Sequence, residues 1–143
     1  MAAQANKRLV RRFLTEVWDA GSLAATDELV APDYVVPGVG RGPAAVRRNV
    51  EQFRSAFPDL HVSIESLIGE GDRVAARFTL HGTHLGPFKG YVASGRRVAI
   101  VELGIWRVEH GRLAEAWFAA NALEVRQAMG VLPSWDDIAR RSG

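Results

Sequence analysis

Near the N-terminus, apolar residues recur at helical spacing: Leu9, Val10, Phe13, Leu14, Val17 and Trp18, with Arg8, Arg11, Arg12 and Glu16 between them. This pattern predicts an amphipathic helix ended by Gly21. A short second helix is expected from Leu23 to Val30, stopped before Pro32, with Asp33 as a turn or cap residue. In GPAAVRRNVEQFRSAFPD, Pro43 suits a first helical turn, and Val46, Val50, Phe53 and Phe57 share one side before Pro58 ends the helix. Beyond Pro58 the period changes to two. Leu60 to Ile68 alternates, GEGD makes a turn, and Val74, Ala76, Phe78 and Leu80 then point away from Ala75, Arg77, Thr79 and His81. Val98 to Val108 reads as a long strand, Glu109 to Gly111 as a hairpin turn, and Leu113 to Asn121 as the partner strand. ALEVRQAMG predicts a final helix, and Ser134 with Asp137 three residues on can cap one more turn.

Helices followed by an antiparallel meander give an α+β fold with helices packed on one face of a sheet. The last hairpin is apolar on both faces, so one face meets the helices while the excess fits a bent sheet around a pocket, or a dimer interface. No repeat or linker interrupts the pattern, so residues 1–143 are read as one domain.

Composition narrows the function classes. With 48% apolar and 24% charged residues the chain is an ordinary globular protein. Its 18 basic and 16 acidic residues include no basic stripe interleaved with aromatics, which argues against nucleic acid as a partner. Cysteine is absent, so thiol nucleophiles, thiolate metal sites and disulfides are excluded. There is no apolar run long enough for a membrane span and no secretory h-region, so a cytoplasmic location is the expectation.

Several residues carry candidate chemistry. Glu102 interrupts the apolar strand VAIVELGIW, two residues from Gly104 and on the same face; such a carboxylate is costly unless it is paired or its pKa is raised by burial. It is the candidate general base, with Gly104 leaving space beside it, against the alternative of an ion pair with Arg97 or Arg112. Asn121 closes EAWFAAN as a candidate donor to a substrate oxygen or as the cap of the next helix, and an amide is neither acid nor base. His81 and His84 form an H-x-x-H, but a spacing of three puts them on opposite faces of a strand, so no metal site is expected. Glu115 shares a face with Trp117 and Asn121 in a regular strand, and ion pairing is its ordinary role.

FPD at Phe57 to Asp59, then GEGDRVAARFTLHGTHLGPFKG, SGRRV, RVEHGRLAEAW and RQAMG together resemble SnoaL-like polyketide cyclases of the nuclear-transport-factor-2-like superfamily. The likeness runs from about Arg8 to Gly130. It implies a cone-shaped, curved antiparallel sheet with N-terminal helices on its concave face, enclosing a pocket. It also implies ring closure of a hydrophobic polyketide-type molecule by acid/base chemistry without metal or cofactor, and a homodimer. By family position Trp18, Asn49 and Trp117 are expected to contact substrate and His84 to serve as an acid or a loop anchor; Phe53 and Trp106 are further candidate substrate contacts, with a core role the ordinary one for each tryptophan. The aldol cyclases of this family carry Asp at the position of Asn121 and His at that of Gly104, so the usual aldol mechanism is not expected to transfer. Two other readings follow from the same resemblance: a member assisting polyketide hydroxylation, and a binding protein without chemistry. An epoxide-hydrolysing Asp–Arg–Asp set is not matched, since Phe78 and Thr79 follow Arg77 and Asn121 holds the last acid position.

Overall fold

The computed structural model describes residues 2–143. Helix α1 (Ala2–Arg12) continues into a π-helical stretch, Phe13–Asp19, whose wider turns are marked by Ala20 N–H donating to Thr15 O at 3.0 Å. Helix α2 (Leu23–Leu29), strand β1 (Val30–Val36) and the two-residue β2 (Gly40–Arg41) lead into α3 (Gly42–Ala56). Strands β3 (His61–Glu70), β4 (Arg73–Thr83), β5 (Arg97–Glu109) and β6 (Arg112–Ala120) follow, then α4 (Ala122–Ala128) and α5 (Trp135–Arg141). The six strands form one sheet in the order β2-β1-β6-β5-β4-β3. The expected α+β architecture is the one observed.

Strand β1 departs from the expectation that α2 runs to Val30 and stops at a turn. The helix ends at Leu29, and Val30 to Val36 pair parallel with β6, as Val30↔Leu113 and Val35↔Glu115. Pro32 is tolerated there because β2 pairs only with Val35 and Val36, so no neighbour on that side asks proline for an N–H. Elsewhere the hairpins match the pattern. The β5–β6 turn places His110 at φ 50° and Gly111 at φ 73°, the left-handed pair that a two-residue hairpin loop needs. Ser134 and Asp137 form a full capping box at the start of α5.

Packing follows from the two periods. The even-numbered face of β4, with Val74, Ala76, Phe78 and Leu80, is buried, as are Val98, Ile100 and Trp106 of β5. Against this concave face lie Val10, Phe13, Leu14 and Val17 of the first helix, and Val46, Val50 and Phe53 of α3. The opposite face of β5 stays in solvent: Val101, Leu103 and Ile105 are 37%, 57% and 45% exposed, with Trp117 of β6 beside them.

Candidate active site

Between the helices and the sheet lies a cavity of about 260 Å³. Its floor is built by cross-strand register. Glu102 of β5 sits between Phe78 of β4 and Ala120 of β6, and all three share the concave face. The helical wall carries Trp18 from the π-helical stretch and Asn49 and Phe53 from α3, with the Trp18 and Phe53 rings edge to face at 5.3 Å.

Glu102 is the titratable group of this floor. No side-chain hydrogen bond reaches it among the described residues, and burial raises its pKa from 4.5 to about 7, partly opposed by the charge of Lys89. The carboxyl therefore exchanges its proton near neutrality, which a general base requires. The alternative of a pair with Arg97 or Arg112 is not what the structure holds: Arg97 pairs across β4 with Thr83, and Arg112 lies at the far hairpin.

Two donors share the cavity with it. Tyr34 of β1 is 2% exposed, and burial moves its hydroxyl well above the ordinary phenol range, so it stays protonated. Trp106 is fully buried and held by rings: Phe118 at 5.1 Å, Phe78 at 5.9 Å and Phe13 at 6.3 Å. Its indole Nε1–H is directed at the Tyr34 oxygen, a contact that opposes the rise of the Tyr34 pKa, but it falls short of full hydrogen-bond geometry with any described residue. A buried N–H without an acceptor costs about 1–3 kcal/mol, and a ligand oxygen in the cavity would remove that cost. Lys89 stands at the mouth, on a turn closed by paired Phe88–Tyr91 backbone hydrogen bonds of 2.9 Å.

The remaining expectations divide by strand parity. Glu102, Trp18, Asn49, Phe53 and Trp106 all line the cavity. Trp117 does not: it pairs with Ile105 on the outer face, under the guanidinium of Arg73 at 5.3 Å. Asn121 also lies outside the lining; its Oδ1 accepts from Val101 N–H at 2.9 Å and its Nδ2 donates to Ala99 O at 3.4 Å, so the amide extends β6 along β5. Its side chain makes no capping hydrogen bond to α4. His84 is fully buried away from the cavity, and its Nδ1 accepts from Ser94 N–H at 3.2 Å and meets Ser94 Oγ at 2.9 Å, an anchor for the loop to Arg96. Gly104 leaves no gap beside Glu102. A Cβ there would lie 2.8 Å from ring atoms of Trp106 and Phe118, so those rings fill the space that a larger side chain would need. Glu115 pairs with Arg107 at 3.2 Å, its ordinary role.

Tyr34 and Lys89 are the site residues that sequence reasoning missed. The signal for Tyr34 was the apolar run VAPDYVV, legible as a strand once Pro32 is read as an edge residue. The signal for Lys89 was its place in FKGY, a lysine-glycine turn between two aromatics.

Comparison with known proteins agrees with this geometry. The family model described as SnoaL-like polyketide cyclase matches residues 8–129. Aklanonic acid methyl ester cyclase DauD of Streptomyces sp. (strain C5) is 28% identical over 114 residues, covering 75% of this chain and 70% of that protein. The structure of TsrD from Streptomyces laurentii superposes with a TM-score of 0.84 at 30% identity, over 90% of this chain and 97% of that one. AclR from Streptomyces galilaeus, a hydroxylase candidate, gives a TM-score of 0.82 at 26% identity over 98% and 90% of the two chains. With its fold, its enclosed apolar cavity and nearly its whole length matched, this chain belongs to the SnoaL-like polyketide cyclase family.

Proposed function

We propose that this chain closes a ring in a hydrophobic, oxygenated polyketide-type substrate without a cofactor, using Glu102 in place of the absent aspartate. The observation that carries the reading is an unpaired carboxyl on the cavity floor with its pKa raised to about 7. Glu102 takes a proton from a carbon α to a carbonyl, breaking that C–H bond and leaving an enolate. Trp106 Nε1–H and the Tyr34 hydroxyl are the donors available to the enolate oxygen. The carbanion adds to a second carbonyl of the same molecule, forming the C–C bond as the carbonyl π bond breaks, and the new alkoxide takes the proton back from Glu102, directly or through Tyr34, which Glu102 then reprotonates. Electrons and protons balance with no external reagent. Trp18, Phe53 and Phe118 shape the cavity so that the two reacting carbons meet, which alone can lower the barrier by several kcal/mol.

The test uses the compound in the relatives' name. With aklanonic acid methyl ester as substrate, Glu102→Gln should lose turnover by about 10²-fold or more. Unchanged turnover would remove Glu102 from the mechanism.

Likeness to AclR supports a second reading, assistance to a hydroxylation whose oxidant comes from a partner or from the substrate. Consumption of oxygen during turnover separates the two. A homodimer is part of the proposal, supported by the exposed band of Val101, Leu103, Ile105 and Trp117, on which a second copy could pack. Sedimentation of wild type against Leu103→Lys tests that point.

A further inference from the structure

We propose that Arg54 is a positioning residue for the reaction: its two hydrogen bonds to the end of the π-helical stretch hold Trp18 on the cavity wall. The inference rests on the reading of the cavity as the cyclase site and adds to it a residue that lies outside the lining. Phe13 and Trp18 both line the cavity although they are five positions apart. An α-helix advances about 100° per residue, so such a pair would lie about 140° apart, on different sides. The wider winding of Phe13–Asp19, with Ala20 N–H donating back to Thr15 O at 3.0 Å, brings the two rings toward one side. They share the wall only while that winding is kept.

The end of the stretch is held from two elements. The last carbonyls of a helix have no partner inside it, and Arg54 of α3 supplies one: Nη1 donates to Trp18 O at 3.0 Å and to Asp19 O at 2.9 Å. Among the described residues it is the one arginine that donates to main-chain carbonyls outside its own helix. Its charge also meets the negative end of the stretch, which strengthens the hold. The guanidinium runs against Gly21, where a Cβ would lie 2.9 Å from Nε, so a glycine at φ 70° leaves its path open. From β3, Val62 N–H donates to Asp19 Oδ1 at 2.7 Å, and His61 Nδ1 meets the same oxygen at 2.9 Å. Phe53, next to Arg54 on α3, packs edge to face on the Trp18 ring at 5.3 Å. One helix thus holds Trp18 by its ring and by its carbonyl. Arg54 is half-buried and does not line the cavity, so its effect on the reaction passes through Trp18. Loss of Arg54 lets the last turn relax toward α winding, which carries the ring off the wall and leaves the substrate without a fixed orientation over Glu102.

The test reads the Trp18 ring directly. The chain holds four tryptophans, so 5-fluorotryptophan labelling gives four fluorine-19 NMR resonances, with Trp18→Phe to assign the one of interest. Arg54→Met should displace or split the Trp18 resonance, while those of Trp117 on the outer face and Trp135 on α5 stay in place. With aklanonic acid methyl ester, kcat should fall about tenfold or more while KM rises less than about threefold, because misplacement costs rate more than binding. Arg54→Lys keeps a charged donor and should recover part of both the resonance position and kcat. An unmoved Trp18 resonance, a moved one with unchanged kcat, no recovery with lysine, or displacement of all four resonances alike would overturn the proposal. Should Arg54→Met fail to fold, Arg54→Gln, which keeps one donor, is read by the same criteria, and a second failure to fold would show a purely structural arginine and overturn it. The resonance needs no turnover. A Glu102→Gln enzyme that still turned over would therefore defeat the cyclase mechanism and leave the hold on Trp18 standing, whereas an unmoved Trp18 resonance defeats that hold alone.

Discussion

Replacing Glu102 by glutamine should make the protein more stable at alkaline pH while it loses activity. Burial raises the carboxyl from 4.5 to about 7, so the folded state holds a proton that the unfolded chain releases. Stability is therefore greatest below pH 4.5, falls as pH rises between 4.5 and about 7, and carries a constant penalty above that. The interval corresponds to about 3 kcal/mol as an upper bound, because water entering the cavity solvates the carboxylate. Glutamine keeps the shape and never ionises, so at pH 8 the variant should gain up to that amount, on the order of 10 °C in midpoint for a chain of this size. Urea denaturation of both proteins at several pH values from 5 to 8 would measure it. The wild-type curves should approach the variant's near pH 5 and diverge toward pH 8. Parallel stability curves across the range would refute the claim that this carboxyl is desolvated and unpaired.

Other consequences follow from the same geometry. Because the base must be ionised, kcat/KM should rise with pH through about 7, and Lys89→Met should move that limb upward by removing the charge that favours the carboxylate. Tyr34→Phe should keep the fold and lower kcat by about 10²-fold with little change in KM, read by steady-state kinetics. Gly104→Ala should cost about 1–3 kcal/mol in urea denaturation, since its Cβ meets the Trp106 and Phe118 rings. Asn121→Asp should leave turnover within about twofold of wild type, because the side chain faces the β5 backbone and not the cavity.

How much of this was legible in the sequence depended on whether the information was local. Glu102 lies two residues from both Ile100 and Gly104, and Trp106 two beyond Gly104, so alternation alone puts them on one face, as the structure does. Trp18, Asn49 and Phe53 followed from helical spacing and family position. Trp117 and Asn121 were placed in the pocket by family position, yet Trp117 is odd-numbered on β6 and Asn121 follows its last residue, while the concave face there carries Phe118 and Ala120 opposite Gly104 and Glu102. Parity within β6 was readable; its register against β5, which decides the face, was not. Gly104 taught a related lesson: a missing side chain leaves a gap only if no neighbour fills it, and Trp106 does. Tyr34 was lost with β1, because Pro32 signals a break unless the shortness of the neighbouring β2 is known.

The central claim is that the cavity of this cyclase-family protein is run by the proton of Glu102. The most direct measurement is a titration of its side-chain carboxyl by carbon-13 NMR, with Glu102→Gln to assign the resonance. The account predicts a midpoint of about 7. A midpoint near the 4.5 of an ordinary glutamate would contradict it.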